Sequence, residues 1–146
     1  MAEMNNQFTM ELPDGWEDRT AYTFMGPEEN GVQHLVTLTI DRKIQDDNLK
    51  FYARDRIDVM ANTLQGMEIL KEEERTLDNG MRVFEMACKW VPLDGKVLFQ
   101  RHYYMIIDRV GYIFSGTFSK QSMKTIGVDV ERMISSFKPM IPETLG

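Results

Sequence analysis

Residues 81–118 read MRVFEMACKWVPLDGKVLFQRHYYMIIDRVGYIFSGTF, and this stretch decides the fold. Apolar and polar residues alternate through residues 81–91, with Phe84, Met86, Cys88 and Trp90 on one face and Val83, Glu85, Ala87 and Lys89 on the other, the pattern of a half-buried strand. Asp94-Gly95 supplies a hairpin turn, residues 96–107 a second strand, Arg109-Val110-Gly111 another reversal, and residues 111–118 a third strand. In the middle strand Val97, Phe99, Tyr103, Met105 and Ile107 share a face with Arg101, while Leu98, Tyr104 and Ile106 share the other with Gln100 and His102. A regular turn there sets Met105 near Phe114 and Tyr103 near Gly116, so that the Phe99 face continues through Tyr112, Phe114 and Phe118. Both faces of this strand are apolar or aromatic, which requires either a helix on each side of the sheet or an open groove on one. Which face meets Trp90 depends on the register of the preceding loop.

Upstream, Asp78-Asn79-Gly80 predicts a tight turn, since Asn-Gly accepts left-handed dihedrals. It joins residues 81–91 to a strand over residues 67–77, MEILKEEERTL, whose run of Lys and Glu side chains is read as a solvated edge that discourages further pairing. Before it, Leu49, Ala53, Ile57, Met60 and Leu64 recur at helical spacing within residues 47–65. Asp46, Asp47 and Asn48 offer caps at the start, and Gly66 stops the helix. Residues 33–42, QHLVTLTIDR, alternate as a strand, and residues 20–25, TAYTFM, make another that Gly26-Pro27 is expected to end. A short first strand over residues 6–12 leads into the Pro13-Asp14-Gly15 turn, with Trp16 next, read as a core plug. Downstream, Met123, Ile126, Val130, Met133, Ile134 and Phe137 recur at helical spacing, with Ser119 or Ser122 as cap and Lys138-Pro139 as terminator.

The order is strands, helix, strands, helix. It predicts one α+β domain over residues 1–146, a twisted antiparallel sheet of six to seven strands packed with two main helices. At 146 residues with 42% hydrophobic content the chain can build a core. Seventeen basic against 23 acidic residues give a net charge of -6, with the basic residues scattered, so no nucleic-acid footprint is visible. A single cysteine, Cys88, forms no internal disulfide. No signal-like leader opens the sequence and no segment nears the roughly 18 apolar residues of a membrane span, so a cytoplasmic protein without membrane insertion is expected. Twelve methionines suit either core gaps or a surface that accepts varied apolar partners.

Chemistry-bearing residues are sparse. Cys88, His34 and His102 are the only candidates for a thiol and its base, and they lie on separate strands without a supporting motif. Those three make no metal site, no glycine loop would cradle phosphate, and no carboxylate pair sits in an apolar setting. The expectation is a non-enzyme without metal or cofactor.

One set of residues says more. Leu12-Pro13-x-x-Trp16-x-Asp18, the Thr20 to Phe24 strand, Tyr52-Ala53-Arg54 on the helix, the Asn79-Gly80 hairpin, Trp90 and the closing Ser136-Phe137 before Lys138-Pro139 together resemble the DcrB-related family, across nearly the whole chain. The resemblance implies a Mog1/PsbP-like fold. It also points to the family's cytoplasmic Eag-type chaperones of type VI secretion, homodimers that cradle apolar effector helices in a concave sheet surface. Carried onto this sequence, the groove positions are Ala21, Thr23 and Met25, smaller and more polar than the aliphatic residues usual there, and Arg56 stands where an amide is expected. Phe99, Tyr103 and Met105 are added from the central strand. Other readings remain: an envelope protein of the same family, a pocket protein with His102, Tyr103 and Tyr104 lining a small-ligand cavity, or a plain interaction module.

Overall fold

A computed structural model describes residues 3–4, 8–29, 31–42, 44–45, 47–64, 66–91 and 95–140. Two short strands, β1 (Glu3–Met4) and β2 (Thr9–Met10), pair with each other apart from the main sheet. That sheet has six antiparallel strands: β3 (Ala21–Glu29), β4 (Val32–Asp41), β5 (Glu68–Thr76), β6 (Arg82–Trp90), β7 (Leu98–Ile107) and β8 (Val110–Phe118), in the spatial order β3-β4-β8-β7-β6-β5. Helix α1 (Leu49–Thr63) carries the chain from β4 across to the far edge, and α2 (Ile126–Ser135) follows β8 after a single 3-10 turn, Ser122–Lys124. The α+β architecture with a meander over β5 to β8 is thus the predicted one.

Each helix takes one face, because the middle strands are apolar on both. Tyr52, Ala53 and Ile57 of α1 bury against Phe84, Met86, Cys88 and Tyr104. Val130 and Ile134 of α2 join Tyr103, Met105, Phe114, Phe118, Val36 and Leu38 on the opposite face. The pairs Trp90↔Leu98 and Phe84↔Tyr104 put Trp90 on the α1 side and answer the register question left by the sequence. Asn48 caps α1, its side-chain oxygen accepting from the Phe51 N–H at 3.1 Å, and Gly66, at a φ of 79°, lets the chain leave in the left-handed region.

Several expectations need correction. The strand through residues 21–25 does not stop at Gly26-Pro27; it continues to Glu29 past a register shift between Met25 and Glu28, and edge strands and bulges are where a sheet tolerates proline. The last reversal turns on Asp108 and Arg109, at φ of 50° and 64°, so Met105 pairs with Tyr112 and Tyr103 with Phe114. Trp16 plugs no core and is 69% exposed. The Pro13 carbonyl accepts from the Trp16 N–H at 3.1 Å, a turn that holds the indole outward over a polar cleft with Arg42 and Arg56. Of the expected first strand only Thr9–Met10 is a described strand, and the tip carrying Asp94 lies outside the described residues.

Candidate functional site

Strand registers define what each face presents. Thr23 pairs with Thr37, Thr37 with Ser115, and Ser115 with His102, a straight polar row across β3, β4, β8 and β7 on the α1 side. Met25, Leu35, Thr117 and Gln100 form the next row, and Ala21, Thr39, Ile113 and Tyr104 the one after. Helix α1 lies chiefly over β6 and β7, touching β8 through Tyr52 at Gly111 and β4 through Arg56 at Asp41. Thr23, Met25 and Ala21 are therefore exposed, and Leu35, Thr37, Thr39, Ser115 and Thr117 are half-buried. The sheet so keeps an uncovered lane beside α1. From β3 to β8 it spans two strand spacings, roughly 10 Å, close to about 10–12 Å for a helix with its side chains.

Arg56 closes one end of this lane. It reaches from α1 to an ion pair with Asp41 of β4 and lies 4.5 Å over the ring of Tyr52. Burial pushes the Tyr52 hydroxyl up to about 12, partly opposed by Arg56. At the inner edge of the lane, His102 is almost fully buried; its Nδ1 lies 2.8 Å from Ser115 Oγ, while Nε2 has no partner among the described residues. Desolvation lowers its pKa to about 4, so the ring is neutral at pH 7.

The predicted site residues separate into two groups. Ala21, Thr23 and Met25 share the lane with one another, and Arg56 stands at its end. Tyr103 and Met105, at 1% and 0% exposure, lie in the core beneath α2, with half-buried Phe99 packed against the same cluster. They do not meet the first group, because β7 turns odd-numbered residues away from the lane. The same alternation prevents His102, Tyr103 and Tyr104 from lining one cavity: Tyr103 faces α2 and its neighbours face α1. The sequence reading missed Leu35 and Thr37, whose signal was the Thr-rich face of residues 33–42, and Thr117 of β8, which shares a face with Ser115 by alternation. Cys88 is buried, and burial raises its thiol to about 11, unlike a reactive cysteine. No group of three His, Cys, Asp or Glu side chains able to hold a metal occurs among the described residues.

The DcrB family model matches residues 8–136. This chain belongs to the DcrB family. The DcrB fold is shared with the crystal structure of PA94 from Pseudomonas aeruginosa, a protein of unknown function suggested to be a regulator, at a TM-score of 0.75 and 15% identity over 97% of both chains. Among curated proteins, Tuftelin-interacting protein 11 of Sus scrofa is 36% identical over 79 residues, and that of Homo sapiens 35% identical over 81. These matches take in 53% and 54% of this chain but only 9% and 10% of those proteins. No helix among the described residues is long and apolar enough to cross a membrane.

Proposed function

We propose that this DcrB-family chain is a non-enzymatic adaptor in the cytoplasm, acting as a homodimer. It holds an apolar helix of a secreted, type VI effector in the lane beside α1. The observation that carries this reading is the lane itself: a helix-wide strip of sheet, flanked by α1 and floored by Leu35, Thr37, Thr39 and Thr117, left without a covering element among the described residues. An apolar helix gains from leaving water by packing into such a strip, and small hydroxyl-bearing side chains let a helix backbone approach closely while offering hydrogen bonds to its own Ser or Thr. The resemblance to Eag-type members supplies the client class. The small side chains of Ala21 and Thr23 favour a bulkier client helix than aliphatic residues would admit.

Co-purification from the native lysate tests this, followed by titration of the client's synthetic apolar helix against wild type and Thr37→Asp. The expected result is one large client with an apolar N-terminal helix, whose affinity falls about tenfold or more when a carboxylate is buried in the floor. Binding that Thr37→Asp leaves unchanged would remove the lane from the mechanism.

A further inference from the structure

The two edges of the sheet are built differently. Along β5 the edge carries Lys71, Glu72, Glu73, Glu74 and Arg75, charges that repel an incoming strand. Residues 21–25 of β3, AYTFM, carry none, and every residue of β3 is exposed. Among the described residues β3 pairs only with β4, so its outer side presents backbone donors and acceptors over five residues before the register shift and Pro27 interrupt them.

A pocket of about 200 Å³ adjoins this edge on the opposite side of the sheet from the lane. Phe24, Val36, Phe118, Ile126, Val130 and Met133 line it, so it lies between β3 and α2. It is smaller than the roughly 300–1,000 Å³ of small-molecule sites and suits one large apolar side chain. Its polar wall, His34, is fixed: Nδ1 is 2.7 Å from the Pro27 carbonyl oxygen and Nε2 is 2.6 Å from Ser122 Oγ. The charges nearby are mostly acidic. Glu28 and Glu29 end β3 in exposed positions, and Asp129 on the pocket rim has Arg132 only at 3.8 Å.

We propose that the outer edge of β3, with the pocket beside Phe24, captures an extended, basic and apolar peptide segment of a partner protein as a seventh strand. Main-chain hydrogen bonds to residues 21–25 supply the alignment, and one apolar side chain in the pocket supplies selectivity. In antiparallel addition the partner's basic residues precede this anchor and meet Glu28 and Glu29. This site opens toward α2 and the lane toward α1, because Tyr22 and Phe24 face α2 whereas Ala21 and Thr23 face α1; Met25, Leu35 and Thr117 border both.

The probe is a fluorescein-labelled peptide of two lysines followed by alternating threonine and valine around one phenylalanine, titrated by anisotropy. Saturable binding is expected, weakened at least about tenfold by Phe24→Lys and by Met133→Lys and unchanged by Arg56→Ala at the end of the lane. Amides of residues 21–25 should gain hydrogen-exchange protection in the complex. Phe24 is 49% exposed and Met133 37%, so both variants should keep the wild-type melting temperature within a few degrees. Absence of saturable binding, or protection confined to residues 35–39, would overturn the proposal. So would a wild-type dimer that Phe24→Lys converts to monomer, since a second copy of this chain would then hold the edge.

Discussion

His102 shows how one residue couples burial to pH. Among the described residues its imidazole keeps a single hydrogen bond, to Ser115, and Nε2 is buried without a partner. The folded pKa is thereby pushed from 6.5 to about 4, below its unfolded value. The unfolded chain consequently binds more protons between these pH values, and the histidine's contribution, complete above pH 6.5, is lost as pH falls toward 4. At 1.36 kcal/mol per unit this amounts to roughly 3 kcal/mol. Urea unfolding of wild type and His102→Gln across pH 4–7 should show the wild type losing about that much more than the variant, which cancels the common contribution of carboxylates. Parallel profiles would mean that His102 takes up its proton without leaving the fold.

At the scale of elements, the β7–β8 hairpin shows what the sequence makes legible and where it stops. Glycine is the expected turn residue, so Gly111 draws the predicted reversal toward itself. The structure keeps Gly111 in the strand, where a Cβ would overlap the Tyr52 hydroxyl of α1, and bends the chain at Asp108 and Arg109 instead. That demand comes from a helix 59 residues earlier in the chain, so local turn chemistry cannot reveal it. The resulting shift of two residues preserves which side chains share a face, since strand periodicity is two; face assignments survived where pairings did not. Candidate-site residues followed the same rule: Ala21, Thr23 and Met25 share a face by alternation, while the position of α1, which decides what stays open, has no strand-level signal. A two-residue turn with both central residues at positive φ prefers Asn-Gly. Asp108→Asn with Arg109→Gly should therefore raise stability by roughly 0.5–1 kcal/mol, the left-handed strain relieved less glycine's entropy, as measured by the shift in urea midpoint.

Across the whole molecule, the two helices meet opposite faces of one sheet, and the link between the charged edge and α2 is ionic. Glu85 of β6 is 1% exposed beneath α2. Arg75 of β5 donates from Nε to Glu85 Oε1 at 2.7 Å and from its other end to Glu131 of α2, whose Oε1 also accepts from the Tyr103 hydroxyl at 3.4 Å. Lys71 stands 3.9 Å from Glu85 and is half-exposed, so it compensates the buried charge weakly. Removing Arg75 strands Glu85, whereas replacing both partners by apolar residues does not. Arg75→Ala should cost roughly 3 kcal/mol by urea unfolding, and Arg75→Met with Glu85→Met should recover most of it. In Arg75→Ala the amides of α2 should also exchange faster than those of α1, because Glu131 loses its tie to β5 while the Arg56–Asp41 pair on the other face is untouched. Equal acceleration in both helices would instead make the sheet the unit that weakens, and the ionic link a passenger on it. The distinction bears on the two surfaces of this molecule: a clamp that acts on α2 alone shapes the pocket beside Phe24 and leaves the lane beside α1 as it was.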